Sequence, residues 1–214
     1  MDMNPQSNYV RLCGTPAGPP LYSHSSRGQD FYCFPLEVER LSGTTDTLNI
    51  LVRRSRLEPL SSPGRLLVEG QLRSFNNRSG PGARLVITVL ARELCPTQEA
   101  DSNLVCLRGT LCKAPNLRCT PMGRDICDLM LAVNRRYGRS DYLPCICWGL
   151  SAREAARWQV GERVSLSGRL QSRRYIKLTE AGPVERTAFE VSAGEIARSC
   201  DGGGEPDDRE LYSD

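Results

Sequence analysis

Two stretches of alternating apolar and polar residues, one near the start of the chain and one near its middle, have nearly the same sequence. Residues 8–15 read NYVRLCGT and residues 103–110 read NLVCLRGT. Alternation with a period of two predicts a half-buried β-strand in each stretch. The same offset of 95 residues recurs in the pairs Asp30 and Asp125, Arg40 and Arg135, Asp46 and Asp141. Chance matches do not keep one register for so long, so two homologous copies are predicted.

Each copy is predicted to contain five strands. The first strand is followed by a loop rich in Gly, Pro and Ser, and then by four further stretches with strand-like apolar patterns. In copy one these are FYCFPLEVERLSG (31–43), LNILV (48–52), LLVEGQLRSF (66–75) and ARLVITVLA (83–91). In copy two they are ICDLMLAVNRRYG (126–138), YLPCICW (142–148), RVSLSGRLQSRRYIKL (163–178) and RTAFEVSAGEI (186–196).

One helix is predicted, between the third and fourth strands of copy two, over residues 149–162. Ser151 and Glu154 have the spacing of a capping box, Leu150 stands where a hydrophobic staple would, and Gly161 is placed to end the helix. Trp158 falls within this helix and is predicted to be a core residue. Copy one has SRLEPLSSPG here, whose two prolines allow at best a short helical turn.

Five strands with at most one helix are typical of a small barrel of the oligonucleotide-binding (OB) kind. The predicted fold class is therefore all-β, with two tandem five-stranded OB-fold barrels. The predicted domains are residues 1–101 and 102–199. Residues 200–214, CDGGGEPDDRELYSD, have too few apolar side chains to fold and are predicted to be a disordered acidic tail.

The net charge of +3 conceals an uneven distribution. Residues 1–101 contain eleven basic and ten acidic side chains, residues 102–199 contain sixteen and nine, and the tail contains one and six. An excess of seven positive charges attracts polyanions, whereas an acidic tail is typical of an interaction segment. Only two of the 28 basic residues are lysines, and the guanidinium group favours phosphate contacts and stacking on bases.

The cysteine and histidine content argues against a metal site or common hydrolase chemistry. The ten cysteines include no CxxC pair, and His24 is the single histidine. A zinc site needs paired thiolate or histidine ligands, so neither a metal nor another cofactor is predicted. The chain has no apolar stretch of signal-peptide or membrane-spanning type. A cytoplasmic protein without membrane contact is therefore expected.

Strand parity predicts an aromatic outer face in copy two. Side chains two residues apart share a face, so Leu143, Cys145 and Cys147 are predicted to point inwards. Tyr142, Pro144, Ile146 and Trp148 then point outwards. In the fourth strand of copy two one face is shared by Arg169, Gln171, Arg173 and Tyr175. Exposed aromatics beside arginines suit single-stranded nucleic acid, because bases stack on the rings while the cations contact phosphates. Aromatic side chains are also enriched at subunit interfaces, which leaves that alternative open.

Copy two resembles the bacterial single-stranded DNA-binding protein (SSB) family over about residues 103–197. The resemblance rests on NLVCLRGTLCKAPNLRCTPMGRDICDLMLAVNRRYG, DYLPCICWGLSAREAARWQVGERVSLSGRLQSRRY and RTAFEVSAGEI. It implies that the DNA-stacking aromatics are Tyr137, Tyr142, Trp148 and Tyr175. The basic residues predicted to contact DNA in copy two are Arg135, Arg136, Arg169 and Arg173.

Copy one resembles the same family more distantly. At the positions of the four aromatics it has Ser42, Thr47, Arg53 and, approximately, Asn77. Its predicted role is weak DNA binding through Arg53, Arg73 and Phe75, or an architectural role in an assembly. The resemblance also implies a homodimer with four barrels and an acidic tail that recruits replication or repair proteins. This tail ends LYSD, without the Pro-Phe tip of the family.

The predicted function is sequence-tolerant binding and protection of single-stranded DNA in bacterial replication, repair or recombination, at the nucleoid and without catalytic activity. A second hypothesis is an accessory, primosome-like interaction protein that binds DNA only weakly. An enzyme is disfavoured, because Asp125 and Asp128 lie three apart on a strand and so on opposite faces.

Overall fold

The computed structural model describes residues 7–77, 85–135, 138–179 and 182–199, and for residues 177–179 it describes the backbone alone. These residues form twelve strands, one α-helix and two short 3₁₀ turns. The first six strands are β1 (Asn8–Pro16), β2 (Leu21–Ser26), β3 (Gln29–Glu39), β4 (Thr45–Arg53), β5 (Arg65–Asn76) and β6 (Leu85–Thr97). The others are β7 (Ser102–Leu111), β8 (Asn116–Cys119), β9 (Asp125–Asn134), β10 (Ser140–Trp148), β11 (Arg163–Thr179) and β12 (Gly182–Arg198). The helix α1 is Gly149–Ala155 and follows β10 directly.

Five strands in each half close into a barrel. In the first barrel β1 pairs with β3 and β5, β3 with β4, and β5 with β6, all antiparallel, while β4 runs parallel to β6. The second barrel repeats this order with β7, β9, β10, β11 and β12. The predicted fold class of two tandem five-stranded OB-fold barrels is therefore confirmed. The predicted tail, residues 200–214, lies outside the described residues.

Each barrel also has a sixth strand that the sequence analysis missed, β2 in the first and β8 in the second. The side chains of β2, LYSHSS, are all exposed, so no buried apolar face marks it in the sequence. It forms a hairpin with β3 through Arg27 and Gly28, whose φ angles of 49° and 72° are left-handed. Two successive left-handed residues are typical of the type I′ turn that connects twisted antiparallel strands.

The helix begins at Gly149, as predicted, but it ends at Ala155 and not near Gly161. Gly149 adopts a left-handed φ of 59°, which lets α1 follow β10 without a linker. Ser151 is consequently inside the helix, and Trp148 is the N-cap residue with no side-chain cap, so the predicted capping box is wrong. The predicted staple is also wrong, because Leu150 is 82% exposed. Trp158 is buried as predicted but follows the helix.

In the first barrel the corresponding segment forms only the two 3₁₀ turns, Arg54–Arg56 and Glu58–Ser61. The prediction of at most a short helical turn is confirmed there.

The two barrels share one continuous sheet, because β1 and β7 pair antiparallel across the joint between them. Val10 lies opposite Val105 at the centre of this pairing, and both side chains are fully buried. Apolar side chains from both barrels form one buried cluster. The joint is therefore built from the two repeated segments that open the copies.

A buried carboxylate reinforces the joint on one side. Asp46, at the start of β4, is fully buried and accepts two hydrogen bonds of 2.6 Å from its neighbour Arg40. It also accepts hydrogen bonds from the backbone N–H and the hydroxyl of Ser172 in β11, at 2.8 and 3.1 Å. Burial opposes ionisation of Asp46, but Arg40 and Ser172 outweigh it and hold the pKa of that carboxyl below its usual range.

Asp141, the repeat partner of Asp46, has the same role on the other side of the joint. It is fully buried at the start of β10 and accepts a hydrogen bond of 2.6 Å from the backbone N–H of Ser74 in β5. Arg73 of the first barrel and Arg135 of the second both donate to its carboxylate. Each barrel thus inserts one buried aspartate against a serine of the other.

The cysteines differ sharply in their surroundings. Cys145 and Cys147 are buried inside the second barrel, as predicted, and burial raises the pKa of both thiols, that of Cys147 to about 12. Cys95 and Cys119 are exposed. The nine cysteines among the described residues are all free thiols.

We expect a thiol reagent to label Cys95 and Cys119 in the native protein well before Cys145 and Cys147. The thiolate is the reactive form, and burial both hides it and suppresses its formation. Peptide mass spectrometry after brief labelling measures the order, and guanidinium-unfolded protein, in which all sites are accessible, is the control. Equal labelling rates at Cys119 and Cys145 in the native protein would contradict the burial described here.

Among the described residues, no helix has both the length and the apolar character needed to cross a membrane.

Candidate nucleic-acid interface

Strand β10 separates its side chains as parity predicts, with one exception. Cys145 and Cys147 point into the barrel, whereas Tyr142 is 50% and Trp148 39% exposed. Ile146 was predicted to be exposed but is only 2% exposed. It lies in the middle of the sheet, in register with β9 on one side and β12 on the other, so its neighbours cover it. The two aromatic side chains therefore remain as the exposed part of this strand.

Trp148 is held in place by its indole N–H, which donates a hydrogen bond of 3.3 Å to the hydroxyl of Ser192 in β12. The indole lies beside an open groove of about 500 Å³. The groove is lined by Asn103, Arg124, Trp148, Gly168, Arg169, Ser192, Ala193 and Gly194. A side chain at position 168 would collide with the carbonyl oxygen of Ser192, so glycine is required for β11 and β12 to approach here.

Strand β11 contributes Arg169 to the groove beside Trp148. Arg169 lies in register with Ser192, the residue that holds Trp148, so both face the groove. Further along β11, the guanidinium carbon of Arg173 lies 5.6 Å from the centre of the Tyr175 ring, which confirms that these two side chains share a face. We use the name aromatic face for the outward side chains of Tyr142, Trp148, Arg169, Arg173 and Tyr175 on β10 and β11.

Gln171 lies between the two arginines on β11, and its side-chain amide donates a hydrogen bond of 2.8 Å to Glu190 in β12. The Gln171 side chain is only 8% exposed. Its neighbours on the strand are different, because Arg169 and Arg173 are exposed and form no ion pair with the part of the chain that the structure describes. Uncompensated guanidinium groups next to exposed rings attract a polyanion such as a nucleic-acid backbone.

Other arginines of the second barrel are neutralised. Arg118 forms an ion pair with Asp128 at 2.7 Å, and Arg153 is paired with Asp125. The two acidic residues have different partners on different elements, in agreement with their predicted opposite faces. Groups of three or more His, Cys, Asp or Glu side chains suited to a metal ion are absent from the described residues.

Two of the arginines predicted to bind DNA contact a buried carboxylate instead. Arg73 lies 3.0 Å from the Asp141 carboxylate and Arg135 donates a hydrogen bond of 2.6 Å to it. Arg135 also donates to the carbonyl oxygen of Ser74, at 3.0 Å. These contacts favour a structural role at the joint between the barrels. DNA contact by Arg73 or Arg135 stays a prediction that their observed partners do not support.

The first barrel positions part of the aromatic face. The backbone N–H of Tyr142 donates a hydrogen bond of 2.7 Å to the hydroxyl of Ser74 in β5. Sequence reasoning missed this role of Ser74. The repeat did indicate that the two serines are equivalent, because Ser74 in VEGQLRS matches Ser172 in LSGRLQS. Each serine donates a backbone hydrogen bond to the buried aspartate of the other barrel.

The remaining predicted residues lie on the first barrel or outside the described residues. Arg53 ends β4 of the first barrel and is exposed. Phe75 is 53% exposed near the end of β5, one residue beyond Ser74. Arg136 and Tyr137 lie outside the described residues. The structure therefore brings Trp148 together with Arg169 and Tyr175 together with Arg173, and leaves Arg53 and Phe75 on the first barrel.

Two closed five-stranded barrels in one chain, one with exposed aromatic rings on its outer face, define a tandem OB-fold protein. The crystal structure of the wild-type single-stranded DNA binding protein from Thermus aquaticus has this fold. It superimposes with a TM-score of 0.74 at 23% sequence identity, over 93% of this chain and 96% of the other.

Sequence comparison leads to a particular family. The model of the single-strand binding protein family matches residues 102–199. Single-stranded DNA-binding protein B of Bacillus subtilis is 39% identical over 80 residues, which cover 34% of this chain and 71% of the relative. Single-stranded DNA-binding protein 2 of Listeria innocua is 36% identical over 80 residues, which cover 34% of this chain and 50% of the relative. The chain belongs to the single-strand binding protein family.

Apart from the B. subtilis protein B, the chain spans about half the length of the curated relatives it matches.

Proposed function

We propose that this protein binds single-stranded DNA without strong sequence preference and acts by binding, with no catalytic step. The observation that carries the proposal is the aromatic face of the second barrel, where Trp148 shares a groove with Arg169 and Arg173 lies over the Tyr175 ring. Neither arginine has a carboxylate partner among the described residues. Every base has a flat face that stacks on an aromatic ring, and each stack contributes about 1–3 kcal/mol. The names of the relatives support single-stranded DNA as the ligand.

We further propose that the two barrels have different roles. The second barrel, residues 102–199, supplies most of the affinity, because Trp148, Tyr142 and Tyr175 all belong to it. The first barrel, residues 1–101, supports it through the joint, where Ser74 holds the backbone of Tyr142. Association of two chains into a four-barrel homodimer, a role in replication, repair or recombination, and recruitment of partners by residues 200–214 are the further parts of this proposal.

The experiment that tests the proposal is a fluorescence titration with oligo(dT). We expect Trp148 to be quenched on binding, because it is the exposed tryptophan, whereas Trp158 is buried and contributes a constant background. Affinity should fall as salt is raised, with a log–log slope of about −2 to −3 for three or four neutralised phosphates.

The variant Trp148→Phe is the matched control for this titration. It keeps a stacking ring but removes the reporter, so quenching should disappear while binding, followed by a labelled oligonucleotide, persists. Unchanged fluorescence of the natural protein together with no salt dependence at low ionic strength would overturn the proposed function.

A further inference from the structure

The hairpin of β2 and β3 carries two aromatic pairs in the first barrel. Tyr22 and Tyr32 lie opposite each other and meet edge to face, with ring centres 5.8 Å apart and ring planes at 83°. His24 and Phe31 form the neighbouring pair, stacked with centres 5.0 Å apart and planes at 9°. Successive residues of a strand point to opposite faces, so the two pairs lie on opposite faces of the hairpin.

The stacked pair lies on the outer face of the barrel. Tyr32 is in register with the fully buried Val52 of β4 and packs against the core, which marks its face as the inner one. Phe31 is in register with Arg53, at the end of β4. The repeat offset places Arg53 at the position of Trp148 in the second barrel. The pair of rings is therefore one strand away from the position where the second barrel has its exposed tryptophan.

The geometry leaves one ring face open. The two rings are nearly parallel and as far apart as neighbouring strands, so each turns its second face away from the other. The second face of Phe31 is directed towards β4 and Arg53. That of His24 is directed outwards, because β2 is the edge strand of the sheet and His24 is exposed. A flat ligand at this edge would extend the existing stack by one member.

The charge around the stack suits a phosphate backbone. Arg53 is exposed, and its side chain makes no ion pair or hydrogen bond with the residues that the structure describes. Arg54, the next residue, is 72% exposed and its contact with Asp30 is a loose one of 3.7 Å. A guanidinium held next to a stacked ring, without a carboxylate to neutralise it, is the combination that binds a nucleotide through base and phosphate together.

We propose that His24 and Phe31 form a second base-stacking site, in which a base of single-stranded DNA stacks on His24 and Arg53 contacts the adjoining phosphate. This inference rests on the proposed function and extends it to the first barrel. The first barrel then binds its own segment of a long strand through residues that the sequence repeat did not indicate. A cross-strand aromatic pair also stabilises a hairpin, but Tyr22 and Tyr32 already supply such a pair on the inner face.

The test compares two lengths of dye-labelled oligo(dT) by fluorescence anisotropy with the full chain. A strand of about 12 nucleotides fits one barrel and one of about 30 reaches a second. We expect the double variant His24→Ala with Phe31→Ala to bind the long strand about 5- to 30-fold more weakly and the short strand as before. His24→Ala alone, at an exposed position, should give part of the same loss if the double variant folds poorly.

Tyr22→Ala is the matched control, because it removes an aromatic ring from the same hairpin on the opposite face. It should leave binding of both lengths unchanged, and His24→Phe should retain long-strand affinity because a flat ring remains. Long-strand affinity that survives in the His24 and Phe31 variants would overturn this inference while leaving the proposed function intact. Short-strand binding that does not depend on Trp148 would instead contradict the proposed function itself.

Discussion

Replacing Trp148 and Tyr175 together by alanine should remove most of the affinity for single-stranded DNA, by roughly 2–6 kcal/mol at the usual contribution of each stacked base. Trp148 lines the groove with Arg169, and Tyr175 lies under the Arg173 guanidinium, so the double variant removes the ring beside each of these arginines. Anisotropy of a labelled oligo(dT) at fixed salt measures the loss without a tryptophan reporter. The salt dependence should persist, because both arginines remain.

The protein should still fold after this double substitution. Trp148 is 39% exposed and Tyr175 is partly exposed, so alanine at these positions leaves the buried core of the barrel intact. Thermal unfolding checks this, and Tyr22→Ala, which removes an exposed ring far from the aromatic face, is the control for a general effect of losing an aromatic. Unchanged DNA affinity combined with an altered association state would favour the accessory interaction protein instead and would contradict the aromatic face as the binding surface.

The barrels were predictable because their burial follows a period of two. Val10, Leu36 and Val105 are fully buried at the alternating positions where the pattern places them. The alternation did not predict strand β2 or the burial of Ile146. β2 has no buried side chains to reveal it, and Ile146 is buried on the outer face because strands flank it on both sides. The predicted capping box was wrong because the left-handed backbone angle at Gly149 places Ser151 inside the helix, and composition does not reveal such an angle.

The exposed aromatics of the candidate site were also predictable, since parity assigned Tyr142 and Trp148 to the outer face. The sequence did not predict which arginines form ion pairs and which remain exposed. Arg73 and Arg169 have the same side chain in similar strand contexts, but Arg73 meets a buried aspartate from the other barrel, whereas Arg169 borders an open groove. Arg73 and Asp141 are 68 positions apart in the sequence, and local sequence patterns do not encode a contact over that separation.

The His24 and Phe31 pair was missed for a related reason. The repeat directs attention to the positions equivalent to Trp148 and Tyr175, and in copy one those positions hold Arg53 and, approximately, Asn77. Phe31 lies on β3, and His24 lies on the edge strand β2, which has no apolar pattern. A register shift in β2 between Tyr22 and His24 determines that His24 lies opposite Phe31. Only the strand pairing reveals the stack.

Asp141→Ala should be the most destabilising single substitution considered for this protein. The Asp141 carboxylate is fully buried between the barrels and accepts hydrogen bonds from Arg73, Arg135 and the backbone N–H of Ser74. Removing one partner of a buried ion pair commonly costs about 3–5 kcal/mol, because the remaining charge stays buried without compensation. At this chain length that corresponds to a fall in melting temperature of roughly 6–20 °C, measurable by calorimetry.

Asp128→Ala is the matched control, because it removes the same side chain from an ion pair with Arg118 that is exposed to solvent. Exposed pairs contribute about 0–1 kcal/mol, so this variant should unfold close to the natural protein. Similar melting temperatures for the two variants would contradict the structural role of Asp141.

Asp141→Asn separates charge from hydrogen bonding at the joint. An amide oxygen still accepts from the N–H of Ser74 but no longer neutralises Arg73 and Arg135, so we expect stability between the natural protein and Asp141→Ala. Because Ser74 also accepts from the backbone of Tyr142, a shifted joint should weaken binding of a short oligo(dT) as well. Loss of stability with no change in that binding would mean that the aromatic face keeps its geometry without support from the first barrel.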